Sequence, residues 1–165
     1  MSSTLIIISC FIFSIGICYQ IYFDKIIAKR IPIRRKLKIF ELLKNKFEGL
    51  KENNLGYLEY KINNKNILFG FTSNRTVKNS FSNNLYIYLD ITNIEDDIKK
   101  LCKIHFYCST IDNRDWVEMR VEPFYESLSN LAKYSNKTVQ KIISETDFYI
   151  SQKRAERDLH INKIF

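Results

Sequence analysis

Residues Leu5 to Phe23, LIIISCFIFSIGICYQIYF, are 19 consecutive positions without a charge. As a helix rising 1.5 Å per residue, such a run roughly matches the ~30 Å hydrocarbon layer of a bilayer. Tyr19, Tyr22 and Phe23 gather at one end, where amphipathic rings favour headgroup depth. A cleaved secretory signal competes with this reading, since Ser14 and Gly16 stand in a spacing that signal peptidase prefers. We favour a retained anchor, because Met1 to Thr4 holds no Lys or Arg and the apolar run continues past that spacing. A lipoprotein-type pattern ends on Cys10, but most of the apolar stretch follows it, so Cys10 and Cys18 read as small apolar residues of the span.

After the span, Ile33, Leu37, Phe40, Leu43, Phe47 and Leu50 recur at spacings of three and four, the signature of an amphipathic helix. Pro32 should interrupt any helix continuing out of the membrane, and the new helix should end near Asn53 and Asn54, just before Gly56. Packing on the following domain is the expected use of the stripe, ahead of lying in the lipid interface or pairing with a partner helix.

Residues 56–62 and 66–72 flank Asn63-Asn64-Lys65 and read as a β-hairpin, because Asn tolerates the left-handed conformations of tight turns. Ser73 to Asn84 reads as a polar loop, and Leu85 to Ile91 as a strand. Thr92 and Glu95 form a T-x-x-E capping box, with Asp96 and Asp97 in the first turn of a helix buried through Ile94, Ile98 and Leu101. A continuation of this helix over Lys103 to Thr110 competes with a strand, which is favoured because Ile104, Phe106 and Cys108 alternate with His105 and Tyr107. A second hairpin across Asp112 to Asp115 into Trp116 to Val121 follows. Pro123 suits the start of a helix through Tyr134, with Phe124, Leu128 and Leu131 inward. A last helix starts near Asn136, and the charged end from Gln152 should project or fray.

Charge adds orientation. The chain of 165 residues carries a net charge of +8, and the stretch from Asp24 to Asn53 alone holds ten basic and four acidic residues. Positive loops stay on the cytoplasmic side, so the N-terminus is expected outside and the main domain in the cytoplasm. Lys25, Lys29, Arg30, Arg34, Arg35, Lys36 and Lys38 are the expected membrane-surface contacts. This accounts for the basic balance without a specific nucleic-acid partner. Lys beside aromatic rings is in any case common in a chain so rich in Ile, Asn, Lys, Tyr and Phe, a bias typical of AT-rich codons.

Catalytic motifs are scarce. Cys102, His105 and Cys108 form a C-x2-H-x2-C arrangement, yet on a strand His105 faces away from both cysteines, and on a helix the cysteines lie about 240° apart. A closed zinc site needs four ligands, and the other histidine, His160, is far along the chain. Buried structural cysteines are therefore expected. Cys108, His105 and Asp112 are too close in sequence to converge as a triad. Glu118, Arg120 and Glu122 share one strand face and suit a solvated sheet surface better than a site. No G-x-x-x-x-G-K-[ST], G-x-G-x-x-G or H-E-x-x-H occurs. Sequons at Asn74 and Asn136 match what chance supplies.

The expected fold class is α+β: one transmembrane helix, then a small domain with an antiparallel sheet of about five strands and about four helices. Its parts are a tail at 1–4, the span at 5–23, a basic segment and amphipathic helix at 24–54, the α+β domain at 55–151 and a charged end at 152–165. The expected role is a single-pass membrane protein whose cytoplasmic domain binds another protein. The bilayer is its first partner, and we expect no cofactor, metal or small-molecule ligand. The rival is a tethered hydrolase using carboxylates or the Cys108 and His105 pair, and a third reading places the same domain outside.

Overall fold

The structure, a computed structural model, describes residues 3–75, 81–121 and 127–161; Pro123 and Phe124, with the helix start expected there, lie outside these, as does Glu122. It opens with 42 residues of continuous helix, in which α1 (Ser3–Tyr22) passes through a π-helical turn (Phe23–Ile27) into α2 (Ala28–Lys44). Pro32 does not break this helix; it lies inside α2. An N–H at position 32 would have bonded the carbonyl of Ala28. The wide turn ends just before that residue, and the Ala28 N–H reaches back five residues to Phe23.

α2 stops at Lys44, well before Asn53. The N–H groups of Lys46 and Phe47 both turn onto the Leu43 carbonyl, at 3.0 and 2.9 Å, and Gly49 takes φ +84°, a conformation that suits glycine. Phe47 and Leu50 still pack on the core beyond the helix end. The first two residues of the expected stripe do not, because Ile33 and Leu37 are 60% and 61% exposed. Ile39, absent from the expected stripe, is fully buried instead.

Among the described residues, six strands, β1 (Lys51–Glu52), β2 (Leu58–Ile62), β3 (Lys65–Arg75), β4 (Phe81–Asp90), β5 (Cys108–Ile111) and β6 (Arg114–Val121), form one antiparallel sheet in the order β1-β2-β3-β4-β6-β5, against about five expected. Both expected hairpins form, and each turns on two residues of positive φ, Asn63 and Asn64 in one, Asp112 and Asn113 in the other. Of the expected loop over Ser73 to Asn84, the described residues 73–75 and 81–84 are strand, with Ser73, Asn74 and Arg75 paired to Asn83, Ser82 and Phe81, and residues 76–80 lie outside the described residues. Polar cross-strand bonds such as Ser73 Oγ to Asn83 Oδ1, at 2.9 Å, stand where apolar alternation would have marked a strand.

Two helices complete the described domain, α3 (Asp96–His105) and α4 (Leu128–Ile161), so it holds three with α2 rather than about four. Lys103 to His105 end α3 instead of starting a strand. α4 runs through Asn136 without a break. Its buried positions, Leu131, Ser135, Val139, Ile142, Thr146 and Ile150, recur every three or four residues, and two of them are polar. α2 lies over β3, and α4 lies over β4 and β6 and against α2 and α3. The core thus fills one face of the sheet: Ile39, Phe40 and Leu43 meet Ile67, Phe69, Leu85, Ile87, Val117, Val139 and Ile142. The other face has no helix over it among the described residues. It carries Leu68, Tyr88 and Trp116 with Tyr57, Tyr86 and Ile111 around them.

The expected capping box does not form. Glu95 is the N-cap residue but makes no side-chain cap bond, and the Thr92 hydroxyl accepts the Asp115 N–H at 3.1 Å. Glu95 instead takes a two-pronged contact from Arg154, at 3.0 and 2.7 Å, with Arg157 alongside. Arg157 also reaches Asp97 at 3.6 Å. The end of α4 that was expected to fray is therefore helical to Ile161 and tied to the start of α3. Hydrogen bonds from Arg154 hold the Glu95 carboxyl down at about 2, from an ordinary value of 4.5. Because the folded state depresses it, this contribution is present above pH 4.5 and is lost as pH falls toward 2. The urea midpoints of the native chain and of Glu95→Gln should therefore differ at neutral pH and converge across that window. A difference that persists at pH 2 would rule out the ion pair as its source.

Candidate functional site

α1 has no buried residue, and Ile7, Phe11 and Phe13 are each about two-thirds exposed or more, at 69, 67 and 71%. Covering one such side chain is worth roughly 1.5–3 kcal/mol, so a helix this apolar needs a cover the domain does not provide. Among the described residues it is the one helix long and apolar enough to cross a membrane. A signal sequence near an N-terminus, or the core helix of a soluble protein, meets the same test of length and composition, although none of this window is buried.

The seven basic residues expected at the membrane surface divide into two groups. Lys25, Lys29, Arg30, Arg34 and Lys38 are exposed. Arg35 turns to the domain, donating to the Phe81 carbonyl at 3.3 Å and to Asn83 Oδ1 at 3.0 Å, with its guanidinium 5.2 Å from the Phe81 ring centre. Lys36 faces Glu52 at 3.6 Å and lies over the Phe40 ring. No spacing rule in the sequence separated these two from the rest, because their partners are on strands 16 to 48 residues away.

Cys102, His105 and Cys108 are not gathered into a ligand set. Cys102 is buried on α3, and Cys108, on β5, points its sulfur at the Cys102 carbonyl, 3.8 Å away. The His105 ring stacks on Tyr149 of α4, with centres 4.3 Å apart and planes within 7°. Among the described residues no three His, Cys, Asp or Glu side chains stand together as metal ligands would. Burial pushes both thiols up, Cys108 to about 11, with the neighbouring Cys102 adding to the effect. Such thiols are poor nucleophiles at neutral pH.

Apolar side chains are exposed around the turn from α3 to β5 and on the neighbouring face of α4, an apolar corner of the domain where the sequence favours a strand over Lys103 to Thr110. Where α3 ends and β5 begins, Ile104 is 84% and Tyr107 86% exposed, and Phe148 of α4 is 73% exposed. Phe106, between them, lines two hollows. One, of about 710 Å³, opens between His105, Phe148 and Tyr149. The other, of about 570 Å³, opens onto the uncovered sheet face beside Tyr86, Glu118 and Arg120. Their polar groups are largely engaged within the domain. Ser109 Oγ donates to Glu118 at 2.7 Å, and Arg120 donates to Asn84 Oδ1 at 2.6 Å. Burial and the nearby Glu118 carboxylate push the Tyr88 phenol up, so it stays protonated at any physiological pH. The corner offers apolar area with satisfied polar groups at its edge, which suits docking better than proton transfer. Glu122, the third member of the polar row expected on β6, lies outside the described residues.

No protein-family model matches the chain, and neither a curated protein nor a solved structure is significantly similar to it.

The thiol environments carry a quantitative expectation. An increase from 9.0 to about 11 lowers the thiolate fraction of Cys108 at neutral pH about a hundredfold. Because a thiolate of higher pKa is also the stronger nucleophile, alkylation of Cys108 in the folded protein should be slower than in urea by about tenfold or more, read by mass spectrometry. Rapid alkylation of folded Cys108 at neutral pH would restore it as a candidate nucleophile.

Proposed function

We propose that this chain is a single-pass membrane-anchored protein whose α+β domain is a protein-interaction module on the cytoplasmic side. One observation carries the reading: α1, which has no buried residue among the described residues, is continuous with α2, whose Ile39, Phe40 and Leu43 are core. A span and a core helix joined without a linker hold the domain at the bilayer. The basic stretch supports its orientation, with the N-terminus outside. The apolar corner of Ile104, Tyr107 and Phe148 is the surface we assign to a protein partner, since exposed apolar area rimmed by polar groups is what such interfaces use.

The anchor is tested by extraction and topology. The full chain should stay in the membrane through carbonate, and a C-terminal reporter should be active only on the cytoplasmic side. Replacing Lys25, Lys29, Arg30 and Arg34 by Ser should give mixed orientation. Release by carbonate defeats the anchor, and a reporter active only outside defeats the orientation.

The docking corner is tested separately. A photoreactive phenylalanine derivative at Tyr107 or Phe148 should form a discrete adduct with another protein in native membranes. The same probe at Lys61, exposed on β2, should not. Equal labelling from all three positions, or from none, would remove the corner from the proposal.

A further inference from the structure

With α1 read as an anchor, α2 has a face the domain does not use. Arg35, Lys36, Ile39, Phe40 and Leu43 turn inward, while Arg30, Arg34, Leu37 and Lys38 stay exposed on the other side, with Ile33 exposed at its edge. At ~100° per residue, Ile33 and Leu37 stand about 40° apart on one line, and Arg30, Arg34 and Lys38 run beside them. No Asp or Glu occurs between Lys25 and Lys38. An apolar pair flanked by cations, with Glu41 the one acid of α2 on that face and one turn beyond Lys38, matches a surface that is negative outside and apolar just beneath. A second copy of this face would oppose cations to cations. The bilayer that α1 enters is three helical turns away.

We infer that this face of α2 lies on anionic lipid headgroups of the leaflet from which α1 emerges, with Ile33 and Leu37 seated below them. The inference rests on the anchor reading and adds a second, lipid-selective contact to it. The bend it requires falls between Phe23 and Pro32, where the wide turn and the missing proline donor both interrupt the regular helical ladder. A domain carried on the opposite side of α2 does not obstruct the contact.

Tryptophan fluorescence tests this in the full chain. The single native Trp116 is buried in the sheet and serves as the internal reference. The Leu37→Trp chain is reconstituted in phosphatidylcholine vesicles with brominated acyl chains, with and without phosphatidylserine; Ile33→Trp is a second reporter. The added emission should be quenched only when phosphatidylserine is present, with Trp116 emission in the native chain unaffected. Each of Arg30→Ser, Arg34→Ser and Lys38→Ser should shift the balance toward the undocked state roughly fivefold, and Lys36→Ser should leave it unchanged. Raising salt to about 1 M, where the screening length is ~3 Å, should release the contact. A chain that resists carbonate yet shows no quenching, or equal quenching in both lipids, overturns this inference alone. A chain that carbonate strips from the vesicles overturns the anchor and this contact together.

Discussion

The burial of Ile39, Phe40 and Leu43 against β3 and α4 is the constraint on which the rest depends. These side chains close the core from the helix side, and they sit on the same continuous helix as the apolar run that begins at Leu5. A loop between the two would have let the domain pack independently of whatever covers α1. A continuous helix couples them, so any layer that fixes α1 also limits where the sheet, α3 and α4 stand. The rotation of α2 about its own axis then decides which cations reach outward and which reach the domain.

That rotation is visible only in three dimensions. The sequence marks residues 25–38 as uniformly basic, and a charge count assigns all seven cations to one surface. Packing divides them. Arg35 and Lys36 stand above the core-facing turn and find Asn83 and Glu52, whereas Arg34 and Lys38, one or two residues along, do not share that direction. With 100° between neighbours, adjacent charges on a helix belong to different surfaces, and net charge per segment carries no such information.

Period and turn chemistry were legible wherever the residues obeyed local rules. Asn63-Asn64 and Asp112-Asn113 both form the two-residue turns their side chains favour, and Asp96 and Asp97 occupy the first turn of α3 as the helix dipole prefers. Failures cluster where polar residues take buried or paired positions. Ser135, on the inward stripe of α4, stands where one long helix reads as two in the sequence, and Ser73 with Asn83 made a strand look like a loop. Thr92 and Glu95 had the spacing of a capping box, yet each has a tertiary partner, Asp115 for one and Arg154 for the other. Local bonds of that kind are worth about 1 kcal/mol, and a bidentate arginine or a strand-edge N–H competes with them readily.

The same competition explains why the apolar corner escaped the sequence. Ile104, Phe106 and Cys108 alternate as a buried strand would, but α3 runs to His105 because Ile98 and Cys102 keep its face in the core for one more turn. Ile104 then falls two positions past Cys102, about 200° around the helix, and is turned to solvent rather than inward. Phe106 and Tyr107 make the corner into β5, where the Glu118 N–H bonds the Tyr107 carbonyl at 2.7 Å and fixes the backbone. Tyr149 stacks on His105 and bonds the Leu101 carbonyl at 3.3 Å, which holds α4 against the same corner. The exposed rings of Tyr107 and Phe148 are therefore carried on backbone anchored from the sheet and from two helices. A surface so held loses little conformational freedom when something docks on it.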